Sequence, residues 1–433
     1  MENFWTFPPI QGEMSGLSVV FMFEPSNKNS QLGYYVSGTK NIIKVDISEV
    51  GMTSISVRFA KTGFNRIFWV DELKEISYNN VYLYNCKNFL FVSCDMFEAE
   101  SKHSLWEKMK DEIQQTRTTL VHLGDQAYMD KVYKKNVKKS RRNKITDAEI
   151  IENFGERYYQ TWLPHVDVLQ KVSNYYLWDD HEVCNDILLS EKHSDKDHQR
   201  VRNLAVEAYE IYQDNFQYLR TNSITDYCWA KRFGENTIMI AIERTSRVIS
   251  NLEILEEIYR EYNLDPFTHL ILVMAGPPIP APVGNYGRLY KSLTGNKKFY
   301  TNEWLTELYN GLFDWMDKDS SNRVIMIGGD LHYGTMGQLN RNNKTIPVII
   351  SSPITNQPTY DRYIASKGMA KNLFLTENLE YNTIISKARR CYAKVTIENG
   401  EFVPEMVYST DSLPKSTMKY LGALITFANA PNC

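Results

Sequence analysis

The chain has 433 residues, of which 43% are hydrophobic and 23% are charged, and its formal net charge is -3. This composition is typical of a globular protein with a large core, and the length predicts more than one folding unit. The small net charge excludes a general attraction to nucleic acid or to membranes, so any binding of anions must be local.

No apolar stretch is long enough to span a bilayer, and the first residues carry acids and prolines where a signal peptide needs a basic start and an apolar run. The six cysteines are scattered and include no CxxC pair, which favours a reducing compartment over a disulfide scaffold. We therefore expect a soluble, cytoplasmic protein. The sequence indicates no specific protein partner.

Residues 1–88 consist of short runs of branched and aromatic residues separated by Gly, Asn and Ser. Helical periodicity is missing from these runs, and their spacing is typical of antiparallel strands. The pattern predicts an N-terminal β-sandwich domain over residues 1–88. Because no residue pattern within it indicates reactive chemistry, we expect a structural role for this domain.

From residue 89 onward, strands and helices alternate. Phe89–Ser93 reads as a buried strand, Leu105–Ile113 has helical spacing, and Thr119–Leu123 is the next strand. This alternation predicts parallel strands with crossover helices in a second domain, residues 89–433. Further helices are predicted at Asp147–Lys171, Gln199–Tyr218 and Asn302–Met316, further strands at Asn174–Trp178, Thr237–Ile242, Leu270–Met274, Val324–Ile327 and Val348–Ser351, and a hairpin around Asn399-Gly400.

Acidic residues and histidines follow three of the predicted strands. The three segments read GDQAYMD (Gly124–Asp130), WDDHEVCND (Trp178–Asp186) and GGDLHYG (Gly328–Gly334). A carboxylate at the carboxyl end of a buried strand is where open α/β sheets place their ligand sites. So many buried carboxylates would repel one another unless cations neutralised them. The motifs therefore predict a two-metal centre in which a bridging hydroxide attacks phosphorus.

The segment Lys131–Lys144, KVYKKNVKKSRRNK, is basic throughout and contains no acid. A charge run of this kind is usually a solvated loop. Because it follows a predicted site directly, it could instead steer a polyanionic substrate, and a nuclear-localisation signal is a third interpretation. The sequence leaves these three interpretations open.

The three motifs, together with Ser93-Cys94-Asp95, resemble the motif set of PhoD-type alkaline phosphatases in the calcineurin-like metallophosphoesterase superfamily. The resemblance covers roughly Phe89 to Tyr408. It implies an α/β fold, a four-layer sandwich of two mixed sheets flanked by helices, and hydrolysis of phosphomonoesters or phosphodiesters. It also implies a mixed centre of Fe³⁺ and Ca²⁺, with other divalent metals as alternatives.

The resemblance also implies roles for single residues. The metal ligands that it implies are Cys94, Asp125, Tyr128, Asp180, Asp330 and His332. Asp125 would bridge the ions, and His181 would lie beside the scissile phosphate and protonate or stabilise the leaving oxygen. Arg244 and Arg247 would offset charge on the phosphoryl oxygens. Here the sequence departs from the family pattern, because Glu-Arg-Thr at 243–245 stands where the family usually has Asp-Thr-Arg.

Two further interpretations stay open at this point. A nuclease-like or phospholipid phosphodiesterase would use the same chemistry on a different ester, whereas an inactive scaffold would keep the fold to bind phosphate-bearing partners. Retention of the acids and histidines favours an enzyme. Asp179 and Asp186 each fit either a ligand or a structural acid.

Overall fold

The computed structural model describes residues 5–15, 18–39, 41–47, 52–60, 63–72, 74–83, 86–96, 104–113, 118–185, 195–213, 229–242, 267–282, 284–285, 288, 302–356, 359–369 and 372–410. The chain divides into two compact units. Unit 1 comprises Met1–Leu90 and Trp106–Ser223, and unit 2 comprises Phe91–Leu105 and Ile224–Cys433.

Unit 1 begins with antiparallel strands in two small sheets. The strands are β1 (Trp5–Ser15), β2 (Ser18–Pro25), β3 (Leu32–Val36), β4 (Ile43–Lys44), β5 (Thr53–Arg58), β6 (Gly63–Asp71) and β7 (Lys74–Leu83). One sheet has the order β1-β2-β5 and the other β4-β3-β6-β7. Trp69 contributes its buried indole to an apolar cluster drawn from both sheets, with the Phe23 ring centroid 4.9 Å away.

The rest of unit 1 contains two parallel strands and several helices. The strands are β9 (Thr118–His122) and β10 (Ser173–Tyr176), and the helices are α2 (Asp130–Ser140), α3 (Asp147–Trp162), α4 (Val166–Leu169) and α5 (Lys196–Tyr212). Strand β8 (Asn88–Val92) and helix α1 (Ser104–Ile113) lie where the chain passes between the units. The predicted strands of this region are confirmed, with ends shifted by a few residues, but the single helix predicted over Asp147–Lys171 is divided into α3 and α4. The helix predicted over Gln199–Tyr218 corresponds to α5, and residues 214–218 lie outside the described residues.

The first N-terminal strand packs against strand β10 of the same unit. Tyr175 donates its hydroxyl to the backbone oxygen of Met14 at 3.2 Å, and Asn174 donates its side-chain amide to Gln11 O at 2.6 Å. Asn174 is fully buried. These contacts join β1 to β10, and a domain boundary at residue 88 stays a prediction.

The expectation of a solvated loop over Lys131–Lys144 is wrong for most of the segment, because Asp130–Ser140 forms helix α2. Its inner face is buried through Tyr133, Asn136, Val137 and Ser140. Two of these residues are polar and bond to neighbouring helices, so the face lacks the apolar periodicity that sequence analysis detects. The lysines lie mainly on the exposed face.

Unit 2 contains an eight-stranded mixed sheet. Its strands are β11 (Trp229–Arg232), β12 (Thr237–Ile242), β13 (His269–Met274), β14 (Arg323–Gly328), β15 (Gly334–Arg341), β16 (Lys344–Ile350), β17 (Leu373–Thr376) and β18 (Leu379–Lys387), in the order β11-β12-β13-β14-β16-β15-β18-β17. The central strands β12, β13, β14 and β16 run parallel, and the others pair antiparallel. All six residues of β12 and of β13 are buried, as expected for parallel strands covered on both faces.

Helix α6 (Asn302–Lys318) and helix α7 (Tyr360–Lys367) accompany this sheet, and α6 contributes Leu305, Leu312 and Phe313 to its apolar core. The hairpin of β19 (Cys391–Glu398) and β20 (Glu401–Tyr408) is confirmed, with positive φ at both Asn399 and Gly400 as a two-residue turn requires. Within the described residues, no helix is both long and apolar enough to cross a membrane. The predicted four-layer arrangement stays a prediction.

Candidate metal and phosphoester site

Four of the predicted ligands share an uncommon backbone conformation. The φ angle is 56° at Cys94, 57° at Asp125, 65° at Asp330 and 54° at His332. Non-glycine residues rarely adopt this left-handed region, and such strain is concentrated at functional sites. Each of these residues follows the end of a strand, so the backbone itself marks the same segments that the sequence motifs predict.

In unit 1 the structure brings Asp125, Asp180 and His181 together. One carboxylate oxygen of each Asp and one ring nitrogen of His181 lie within 4.8 Å of one another, and all three residues are buried. Two carboxylates this close in a buried site repel each other unless a cation lies between them. Carboxylate oxygens are suitable donors for Ca²⁺ or a transition ion. The two carboxylates therefore fit a metal ion at this position.

Gly124 places the first motif against the second. Its φ is 93°, and an ideal Cβ built on it would lie 2.5 Å from the Cβ of Asp179. Real Cβ atoms do not approach another carbon this closely. Glycine is therefore required both by the backbone angle and by the close contact.

Gly124→Ala is accordingly expected to lower the free energy of unfolding by about 1–3 kcal/mol, because the site must shift to admit a methyl group. Gly38→Ala is the matched control: its φ is 88°, yet nothing lies within 4 Å of the added carbon. Denaturant titration of both variants separates backbone strain from crowding. An equal loss in the two variants would show that the contact with Asp179 is unimportant.

Glu182 is a residue that sequence analysis missed. Its Oε2 accepts hydrogen bonds from the backbone N–H groups of Asp125 (3.1 Å) and Asp179 (2.9 Å), and its Oε1 accepts one from Gln126 (2.7 Å). The side chain is fully buried. One carboxylate therefore fixes the backbone of both motifs, and the WDDHE pattern alone gave no sign of this role.

Asp130 holds the His181 ring. The Asp130 Oδ2 to His181 Nδ1 distance is 2.7 Å, and Asp130 Oδ1 accepts from the backbone N–H of Asn185 at 3.0 Å. The ring of Tyr128 lies against the imidazole, with centroids 4.2 Å apart. Because Nδ1 is hydrogen-bonded to Asp130, Nε2 is the nitrogen that can contact a substrate.

The pKa shifts at the site reflect its density of charge. Burial lowers the pKa of His181, but the charge of Asp125 and the contact with Asp130 outweigh it and raise the value to about 9. Burial opposes ionisation of Asp130, yet the hydrogen bond with His181 lowers its pKa to about 2. Burial and the charge of Asp125 raise the pKa of Glu182 to about 8, against the effect of its three N–H donors.

Tyr128 lies beside the predicted bridging carboxylate. Its hydroxyl is 3.4 Å from Asp125 Oδ2, and its backbone oxygen accepts from Arg157 Nε at 3.1 Å.

Asp179 acts as a cap, since its Oδ1 accepts from the backbone N–H of Asp180 at 2.8 Å. Asp179 therefore has a structural role as the cap of the helical turn at Asp180–Glu182.

In unit 2, Ser352 joins two of the predicted ligands. Its hydroxyl oxygen accepts from the backbone N–H of His332 at 2.9 Å, and the hydroxyl donates to the Cys94 sulfur at 3.2 Å. Cys94, Ser352 and Asp330 are buried. Sequence analysis did not single out Ser352, because a serine 258 residues from Cys94 carries no motif of its own.

Arg244 and Arg247, predicted to bind the phosphoryl oxygens, lie outside the described residues, as does Asp186. Their roles stay predictions.

Residues 89–240 match the family model of the PhoD-like phosphatases. A solved structure described as that of PhoD aligns with a TM-score of 0.61 at 14% identity, covering 94% of this chain and 90% of that one. The resemblance to PhoD-like phosphatases is confirmed. At this identity the structural match shows a shared mixed α/β fold.

Other solved structures align more weakly. The Thermus thermophilus sulfate thiohydrolase SoxB in complex with glycerol has a TM-score of 0.29 at 8% identity, with 76% of this chain and 46% of that one covered. A Ruminococcus gnavus beta-glucuronidase has a TM-score of 0.25 at 9% identity, with 75% and 61% covered. These scores carry no inference about this chain. A comparison with curated proteins gives no match.

Proposed function

We propose that this PhoD-like protein is a metal-dependent phosphoesterase acting on phosphomonoesters, phosphodiesters or both. The observation that supports it best is the buried cluster of Asp125, Asp180 and His181, with Asp130 fixing the imidazole. Acids held this close serve no packing purpose, and they lie within the segment that matches the phosphatase family.

Asp125 and Asp180 would hold a cation in unit 1. Cys94, Tyr128, Asp330 and His332 complete the ligand set that the resemblance predicts. Such ions supply positive charge that polarises a phosphoryl group and activates water. We propose Ca²⁺ at the carboxylate ligands, because it prefers hard oxygen donors, and Fe³⁺ at the phenolate and thiolate donors.

Residues of the chain would then transfer the proton and orient the substrate. Asp130 keeps the His181 ring fixed and its Nδ1 occupied, so the proton on Nε2 is available to the leaving oxygen. Glu182 keeps the backbone of Asp125 and Asp179 in place, which preserves the distances between the acidic groups. Arg244 and Arg247 stay the predicted partners of the phosphoryl oxygens.

Removal of metal tests the proposal. Extended chelation should abolish hydrolysis of p-nitrophenyl phosphate and of bis(p-nitrophenyl) phosphate, and addition of Ca²⁺ and Fe³⁺ should restore it. Metal analysis and the visible spectrum of the active protein accompany the assay, because ferric phenolate or thiolate ligation is coloured, and Tyr128→Phe should shift or remove the band. Full activity in metal-free protein would disprove metal dependence. A metal-loaded protein that hydrolyses no ester would favour the phosphate-binding scaffold.

A further inference from the structure

Helix α2 carries a line of lysines that starts at the candidate site. Lys131, Lys134, Lys135 and Lys138 are spaced i, i+3, i+4 and i+7, so they share one face of the helix, and all four are exposed. We call these four residues the basic stripe. They extend over about 10 Å along the helix axis.

The helix is fixed in orientation by polar contacts on its inner face. Tyr133 Oη lies 2.9 Å from His198 Nδ1, Ser140 donates to Asp197 at 2.5 Å, and Asn136 accepts from Asn153 at 3.2 Å. Because this face is bound to α3 and α5, the basic stripe is held outward rather than being free to turn.

The basic stripe also costs the helix stability. Like charges three and four residues apart repel each other, and apart from Asp130 at its start, four residues before Lys134, helix α2 contains no acid to offset them. A helix face whose purpose was only solvation would be equally well served by mixed charges, which repel less. A uniform positive sign is the charge that a partner carrying phosphate groups requires.

The start of α2 places the basic stripe next to the candidate site. Asp130, the first residue of the helix, holds His181 through a 2.7 Å hydrogen bond, and Lys131 is the next residue along the chain. A substrate whose scissile phosphate lay at His181 could therefore extend its neighbouring phosphates along the stripe. A small monoester would leave the stripe unused.

We propose that the basic stripe binds the flanking phosphates of a linear substrate that repeats phosphate groups along its length. The proposal rests on the proposed phosphoesterase function and deepens it, because it names a phosphate-rich chain as the substrate class. Tyr133, the aromatic residue of the segment 131–144, is buried, so the stripe offers charge without a stacking surface. Recognition is therefore of the phosphates and not of bases.

The test compares two triple variants of the full-length, metal-loaded protein. Lys134, Lys135 and Lys138 are replaced by Gln, which keeps helix propensity and removes three charges. The matched control replaces the exposed Lys44, Lys74 and Lys87 by Gln, which changes the net charge equally in the same unit. Binding of long-chain inorganic polyphosphate and of single-stranded oligothymidylate is measured by titration at several salt concentrations.

The stripe variant should bind both probes at least about 10-fold more weakly at low salt, and the slope of log K against log salt should fall by about 2. The control should bind like wild type. Because both variants are titrated with the same probes, any chelation of metal by polyphosphate affects both equally and does not change their difference. A loss confined to one of the two probes would contradict recognition of the phosphates alone and would overturn the proposal.

Equal binding by wild type and the stripe variant, or equal weakening in both triple variants, would overturn the proposal. Turnover of p-nitrophenyl phosphate tests the proposed phosphoesterase function independently of binding to the basic stripe. If that ester is hydrolysed equally by all three proteins while binding is unchanged, the stripe proposal alone is wrong. If stripe-dependent binding is found but no ester is hydrolysed, the phosphoesterase proposal is wrong and the binding site stands.

Discussion

His181→Ala is expected to lower kcat for phosphoester hydrolysis by about 100- to 10,000-fold, the usual contribution of one positioned acid or base. The imidazole is the group whose position the site controls most directly, through Asp130 at Nδ1 and the Tyr128 ring beside it. Alanine keeps the two backbone contacts of residue 181, from its own N–H to Asp125 Oδ1 (3.4 Å) and from Met129 N–H to its oxygen (3.0 Å). Metal content should therefore stay unchanged, and it is measured with kcat.

Asp130→Asn provides the second variant of this experiment. The amide has the size of the carboxylate but not its charge. The imidazole of His181 therefore stays in place, and its protonated form is stabilised less. We expect a smaller loss than in His181→Ala, and we expect the two losses to be non-additive in the double variant, because both act through one ring. Wild-type kcat in His181→Ala would rule out the imidazole as the acid. Additive losses would show that Asp130 acts by another route.

Sequence analysis was most successful where a pattern is local. The strand at Thr119–Leu123 was predicted from its run of mostly apolar residues, and β9 (Thr118–His122) is buried throughout. The turn at Asn399-Gly400 was predicted from residue chemistry, because both positions need φ above zero. The three motifs predicted Asp125, Asp180 and His181, which the structure brings together. In the first two examples, neighbours in sequence determine the outcome.

It was least successful where the determining contact is distant or polar. Helix α2 was missed because part of its buried face is amide and hydroxyl, and these groups hydrogen-bond to Asp197 and Asn153. The joining of Cys94 to His332 through Ser352 depends on residues more than 200 positions apart in sequence. A residue that acts only as an acceptor for backbone N–H groups leaves no periodic signal, and Glu182 is the main example.

Glu182→Gln is expected to weaken the site even though Glu182 touches no substrate. The carboxylate uses both oxygens to accept three N–H groups, two at Oε2 and one at Oε1. Glutamine offers one oxygen, so at least one buried N–H faces an NH₂ donor in place of an acceptor. Leaving a buried donor unmatched costs about 1–3 kcal/mol. The backbone that relaxes is that of Asp125, so metal affinity should fall about 10- to 100-fold, as for other residues that orient metal ligands.

Glu149→Gln is the matched control for this experiment. Glu149 is also a glutamate that accepts a backbone N–H at the start of a helix, from Thr146 at 2.7 Å, but it is exposed and solvent can replace the lost acceptor. Both variants are compared by denaturant unfolding of metal-free protein and by titration with Ca²⁺, so neither readout depends on turnover. Glu182→Asp, which keeps the charge but shortens the side chain, should recover part of the affinity if charge matters beyond geometry. If Glu182→Gln matches Glu149→Gln in both measurements, the carboxylate does not position the site.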